Sequence, residues 1–187
     1  MTAMSTEVLG LPHGRPLTRA DLDLMPEDGH RYELIDGTLI VSPSPLFRHQ
    51  LAHIRLVELL LPAVPDDCQL LSAPFDVVLA DDTVIQPDLL IAPKTDFTER
   101  DLPTAPLLAI EILSPSTRGI DLLLKKERLQ RAGCAHYWVV DPEAPSITAW
   151  TLAGGEYGSA IVASDAELFE VEEPLTLALA PRQLIAG

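Results

Sequence analysis

Two acidic residues interrupt stretches that otherwise read as buried strands. Asp88 follows Pro87 and leads into Leu89-Leu90-Ile91, and Glu111 sits inside the nearly continuous apolar run Leu107 to Leu113. A lone carboxylate in such a run is costly to bury and would shift its pKa upward until it lost its charge. A divalent cation bridging two or three such groups reverses that penalty. Carboxylates converging from several strands therefore point to a metal site, and Mg²⁺ suits them, being a hard ion that takes carboxylate oxygens and keeps several waters. Asp121 and Lys125 lie four residues apart on the segment that follows, so both project from one helical face, with Arg128 further along it. Either they form an ordinary helical ion pair, worth about a few tenths of a kcal/mol, or the ammonium reaches a metal-bound water or a phosphate. Their place directly after the Glu111 strand gives the second reading its weight.

The elements that must position these groups follow from periodicity and turn chemistry. Thr18, with Asp21 three residues on, reads as the cap of a short helix ending before Pro26. Residues 31 to 41 read as two strands joined at Asp36-Gly37, with Glu33 on the first. Ser44 to Leu61 carries Phe47, Leu51, Ile54 and Leu61 at helical spacing, with Ala52 and Leu59 nearby, and closes at Pro62. Short strands are expected over Gln69 to Leu71, Phe75 to Leu79 and Asp88 to Ile91, with a turn at Asp81-Asp82, and Leu107 to Leu113 reads as a central buried strand. A helix is expected from about Gly119 to Ala132, with Gly133 ending it. Tyr137 to Val140 is a strand with Ile147 to Leu152 as its hairpin partner. The stretch Glu156 to Glu173 is expected to be peripheral, with Leu175 to Leu179 a last edge strand. This order predicts an α/β or α+β layered domain on a mixed sheet flanked by helices. Residues 1 to 16 are expected to be a loose lead-in and 17 to 187 one domain.

The chain has 187 residues, 47% hydrophobic and 22% charged, which excludes a disordered polypeptide. The longest apolar stretch, Leu56 to Val64, is interrupted by Glu58 and Pro62 and falls far short of the roughly 20 residues that span a bilayer. With no membrane segment and no secretory signal, the cytoplasm is the default compartment. Cys68 and Cys134 have no second ligand at metal-site spacing and read as reduced, buried side chains. The net charge of −15 opposes unaided binding to phosphates, which normally calls for a basic footprint. Five of the thirteen basic residues, however, fall between Arg118 and Arg131. That run is either a solvated helical face or a local phosphate contact.

Tyr32-Glu33-Leu34-Ile35-Asp36-Gly37, Gln86-Pro87-Asp88-Leu89, Glu111 to Thr117, Asp121 with Lys125, and Ala132-Gly133 followed by Tyr137 to Pro142 together resemble the Uma2 family, a group regarded as restriction endonucleases with the PD-(D/E)xK nuclease-like fold. The resemblance runs from about residue 18 to 152. It implies a restriction-endonuclease-like fold in which Asp88 and Glu111 are the metal-binding acids and Glu33 is an additional acid. The motif lysine two residues after the glutamate is replaced by Leu113. The resemblance places that function on the following helix, at Lys125, with Lys126 the less favoured neighbour. The tyrosine that often stands four residues after that lysine is here Leu129. His49 resembles a recurring histidine at the start of the second helix, although a lone histidine is more often simply a satisfied polar residue. Arg31 and His30, beside Glu33, are either phosphate contacts or solvated strand-end residues.

The leading expectation is therefore hydrolysis of phosphodiester bonds, in DNA before RNA, with Mg²⁺ or Mn²⁺ as cofactor and a homodimer matched to a duplex. A catalytically silent binding or assembly module, and a hydrolase of small phosphoesters, are the rivals. The leading reading requires Glu33, Asp88 and Glu111 to face one point. Acids turned apart, or tied to arginines in a dry interior, would require it to be abandoned.

Overall fold

The computed structural model describes residues 12, 14–115 and 117–186. Most of the expected lead-in, residues 1–11 and 13, lies outside the described residues, as does Ser116. The chain is already anchored before Thr18: Leu17 is buried and its N–H donates to the Gly37 carbonyl at 2.9 Å, while Arg15 pairs with Asp21 at 2.7 Å. Helix α1 (Arg19–Leu22) is capped as expected, Asp21 accepting the Thr18 N–H at 2.8 Å.

Strands β1 (Arg31–Ile35) and β2 (Thr38–Ser42) form the hairpin at Asp36-Gly37. Both turn residues have positive φ, 48° and 73°, the conformation a two-residue hairpin turn demands. A Cβ on Gly37 would also lie 2.4 Å from that of Pro16. After α2 (Phe47–Leu60) come β3 (Cys68–Ser72), β4 (Asp76–Ala80), β5 (Thr83–Ile85), β6 (Leu89–Pro93), β7 (Asp101–Leu102) and β8 (Leu108–Ile112). A π-helical segment (Ile120–Lys125) runs directly into α3 (Lys126–Ala132), which Gly133 ends at φ 86°. The chain then forms β9 (His136–Asp141), β10 (Ser146–Ala153), β11 (Glu156–Tyr157), β12 (Ile161–Ser164), β13 (Phe169–Val171) and β14 (Leu177–Leu179).

Instead of one mixed sheet there are two large ones, and β13 and β14 pair as a separate two-stranded sheet. The first has the order β2-β1-β5-β4-β7, and the second β11-β10-β9-β8-β6-β3, with β12 also on β10. In the second sheet β8 and β9 are parallel and the other pairings antiparallel. Side-chain alternation divides that sheet between two cores. Leu89, Ile91, Leu108, Ile110 and Trp138 face α2 and the C-terminal strands. Leu90, Ala92, Ala109, Tyr137 and Val139 face the first sheet and α3. No helix among the described residues is long and apolar enough to cross a membrane.

Three expectations are corrected. Helix α2 buries His49, Ala52, Leu56 and Leu60, and leaves Phe47, Ile54 and Leu61 exposed. Two apolar stripes share one period on this helix, and the sheet beneath selects the smaller one. The C-terminal stretch is not peripheral: Phe169 is fully buried, edge-on to Trp138 with ring centroids 5.2 Å apart, and Leu175, Leu177 and Leu179 join the same core. The helix expected from Gly119 to Ala132 is present, but it is not α-helical throughout: Ile120–Lys125 take the wider π geometry between the α-helical turn at Arg118 and Gly119 and α3. Cys68 and Cys134 are free and buried, as expected.

Candidate active site

Register does much of the assembly. On β6 and β8, Leu89 pairs with Ile110 and Leu90 with Ala109, so one further step sets Asp88 opposite Glu111 on the face turned toward the first sheet. From that sheet β1 presents Arg31 and Glu33, two apart and therefore on one face. The π-helical segment supplies Asp121 and Lys125.

Lys125 is the hub. Its Nζ lies 2.9 Å from Glu33 Oε1, 3.0 Å from Glu111 Oε1 and 3.7 Å from Asp121 Oδ1, and its side chain is 1% exposed. Glu33 Oε1 also accepts the Gln86 N–H at 2.7 Å, and Asp121 Oδ2 accepts the Thr117 hydroxyl at 2.7 Å. Asp88 is held separately. Its Oδ1 accepts from Arg31 at 2.9 Å, its Oδ2 accepts the Ile112 N–H at 2.8 Å, and His49 Nε2 stands 3.2 Å from the same Oδ2. Arg31 Nε also lies 3.4 Å from Glu33 Oε2.

Four carboxylates thus share two permanent cations in a nearly dry interior, and the imbalance appears in their protonation. Burial pushes Glu111 well above the ordinary carboxylate range; the attraction of Lys125 opposes this, while Asp121, Asp88 and Glu33 reinforce it. Asp121 is raised, again chiefly by burial. Burial would also raise Asp88, but the bond from His49 and the charge of Arg31 outweigh it and hold Asp88 well below the usual range. Burial alone would discharge Lys125, yet Glu111, Glu33 and Asp121 keep it firmly protonated.

The three expected acids therefore do face one region, although not around open space. Asp88 is tied to an arginine, Arg31, which meets half of the condition set against the reading, but the pair lines an open cleft instead of a sealed interior; Glu33 and Glu111 are tied to Lys125. No three His, Cys, Asp or Glu side chains among the described residues are grouped to hold a metal ion as they stand. The donor chemistry nonetheless suits a hard cation. Glu33 Oε2 and Asp121 Oδ1 are buried without a hydrogen-bond partner, and the negative charge exceeds what Arg31 and Lys125 can balance.

A cleft of about 930 Å³ opens beside this cluster, with Arg31, His49, Gln86, Asp88 and Thr117 in its wall. Glu33, Glu111 and Lys125 lie behind that wall, each at most 1% exposed.

Of the secondary candidates, Arg31, His49 and Asp121 reach the cluster. His30 pairs instead with Asp28, and Lys126 lies 4.1 Å from the centre of the Trp150 ring. The rest of the basic run is tied up as well: Arg118 pairs with Asp141, Arg131 with Asp36 at 2.7 Å, and Arg128 with Asp36 at 3.3 Å. Sequence reasoning held Thr117, Gln86 and Tyr137 within its motifs but gave none of them a role at the site. The Tyr137 hydroxyl donates to the Asp121 carbonyl at 2.8 Å. With Leu129 in the place of a helix tyrosine, the aromatic hydroxyl that reaches this segment comes from β9. The adjacency of Thr117 to Asp121 was the available signal; nothing local marked Tyr137.

Two facing sheets that deliver buried acids and an arginine, and a π-helical segment that adds a lysine, to one point beside a cleft define an α+β domain of nuclease-like fold. A solved structure described as "a putative nuclease belonging to DUF820 from Anabaena variabilis" superposes with a TM-score of 0.72 at 18% identity, covering 91% of this chain and 98% of that one. At that identity the likeness is one of fold. The sequence matches Uma2, described as "Putative restriction endonuclease", over residues 19–182, and the chain belongs to that family. No curated protein matches it.

Proposed function

We propose that this protein is a Mg²⁺-dependent endonuclease hydrolysing phosphodiester bonds, with DNA its first substrate class. The observation that carries the reading is the convergence of Glu33, Asp88 and Glu111, from two different sheets, on one region beside an open cleft. Family membership supports it. Asp88 and Glu111, with Glu33, would hold the ion; Mn²⁺ is a chemically reasonable substitute. Bound there, such an ion lowers the pKa of a water and polarises the phosphate. The protein's own groups do the rest. Arg31 and His49 fix the Asp88 carboxylate in the cleft wall, and the Lys125 ammonium offsets charge developing on the phosphate. Two copies related by a two-fold axis would match a duplex.

The test is cleavage of DNA and RNA by the purified protein with Mg²⁺ or Mn²⁺. Activity lost in Asp88→Ala and Glu111→Ala supports the reading. No cleavage of any substrate, or cleavage unchanged in both variants, defeats it, and sedimentation of a monomer alone would remove the dimer.

A second reading has its own support. The cations of the basic run are paired within the molecule, so the fold could serve as a catalytically silent binding or assembly module. A flat thermal response to Mg²⁺ and Mn²⁺ would favour it.

A further inference from the structure

The donor oxygens and the side chain that covers them belong to the same cluster. Lys125 Nζ touches Glu33 Oε1 and Glu111 Oε1 and stands near Asp121 Oδ1, the position from which one cation reaches several carboxylates at once. Asp121 Oδ1 and one further oxygen, Glu33 Oε2, which faces Arg31 Nε at 3.4 Å, are buried there without hydrogen-bond partners. The amine is carried at the end of a π-helical segment, a geometry mostly found as short local departures from α-helix, often at functional sites. Within that segment Leu123 is 69% exposed and Leu124 46% exposed, so little packing holds its outer side. On its inner side the Tyr137 hydroxyl meets the Asp121 carbonyl.

We propose that Lys125 is a built-in counter-ion that closes the acid cluster in the metal-free protein, and that a divalent cation and the Lys125 ammonium compete for Glu33 and Glu111. The inference rests on the metal-binding reading above and adds to it a resting state in which the site is shut. Competition of this kind lowers apparent metal affinity by the fraction of molecules in which the amine has withdrawn. Closed and open arrangements separated by a few kcal/mol would leave about 10% or less of the protein open. Entry of the ion expels a primary amine from a dry pocket, so the chemical reactivity of that amine reports the event.

Two measurements on the full chain test this. The first is calorimetric titration of Mn²⁺ into the wild type, Lys125→Met, and Lys125→Met combined with Glu111→Gln. The expected result is binding about tenfold or more tighter in Lys125→Met, lost again in the double variant. Equal or weaker binding in Lys125→Met overturns the proposal. The second measurement needs no variant: amine-selective labelling of the wild type, read by mass spectrometry, with and without saturating Mg²⁺. Lys125 should pass from protected to reactive while Lys94 and Lys126 stay unchanged. If Lys125 remains protected while Mg²⁺ binds, the clamp is wrong and the nuclease reading stands. If neither the wild type nor Lys125→Met binds Mn²⁺ or Mg²⁺, the clamp and the metal-dependent reading fall together. Binding accompanied by clamp behaviour but no cleavage of any nucleic acid sinks the nuclease reading alone.

Discussion

Asp88 and Glu111 sit opposite one another, yet neutralising them should change the stability of the metal-free protein unequally. In Asp88→Asn the side chain keeps its shape and one acceptor oxygen, so the Ile112 N–H at 2.8 Å can still be met. What disappears is the negative charge facing Arg31 at 2.9 Å, and Arg31 is then left largely buried with Glu33 at 3.4 Å as its facing carboxylate and the Gln86 carbonyl at 3.3 Å. A charge-assisted bond contributes about 1.5–3 kcal/mol, so a loss of about 2–3 kcal/mol is expected. For a chain of this size that lowers Tm by about 5–10 °C. In Glu111→Gln the balance differs. Lys125 keeps Glu33 at 2.9 Å and Asp121 at 3.7 Å, and the fully buried acid most strongly disfavoured in its charged form is gone. Stability within about 1 kcal/mol of the wild type, or above it, is expected. Urea and thermal unfolding in chelator at neutral pH, with slopes compared to exclude changes in the unfolded state, read the difference. Should Glu111→Gln lose as much as Asp88→Asn, the surplus of negative charge in this cluster is not what the geometry says it is.

Further outcomes follow from the same structure. For Glu111, whose folded-state pKa is raised, the stability contribution is fully present below its unfolded value of about 4.3 and disappears as pH rises through the raised one. For Asp88, held low, the contribution is present above about 3.9 and disappears as pH falls through the depressed value. Unfolding of the metal-free protein across pH should therefore show Glu111→Gln flattening the decline on the alkaline side while leaving the acid limb in place. Phe169→Ala should cost about 3–5 kcal/mol in chemical denaturation, against almost nothing for a truly peripheral tail. DNA binding in Ca²⁺ should show a salt slope no steeper than about −3, and Arg128→Ala should leave it unchanged, because Arg128 already answers Asp36 and Asp82.

What could be read from the sequence was local chemistry. Asp36-Gly37 declared its hairpin because few residue pairs accept positive φ at both positions. Gly133 ended α3 for the same kind of reason. Asp88 and Glu111 stood out because each broke an apolar run, and antiparallel pairing then brought them together. What escaped were choices made by tertiary packing. Strand β5 is three residues long, too short to carry a pattern. Helix α2 had two apolar stripes of the same period, and only the sheet beneath decides between them. Strand β14 lies within the expected Leu175 to Leu179, but its partner β13, Phe169-Glu170-Val171, alternates too, and the acidic residues around it masked a buried strand. The π geometry before Lys126 left no trace in periodicity. It nevertheless decides the most consequential feature of the site, since an i,i+4 pair that could have been an ordinary surface bridge became a lysine enclosed by acids.

That enclosure bears on how an acidic protein could engage an acidic substrate. The chain carries a net −15, and its one concentration of basic residues is neutralised by Asp36, Asp82 and Asp141, covers Trp150, or is buried as Lys125. A phosphate entering the cleft meets Asp88 in the wall, with Arg31 already engaged by that same carboxylate. On the proposed function, attraction at these acids would have to come from charge added to the protein. A divalent cation bound at the acids would reverse the local sign and release Lys125 as a free positive charge in the same event. On this argument ion binding and phosphate binding are coupled, each strengthening the other. Affinity for DNA should accordingly be negligible in chelator and rise with the same midpoint in Mg²⁺ that exposes the Lys125 amine. DNA binding of equal strength with and without divalent cation would show that the protein attracts its substrate through a surface far from these acids.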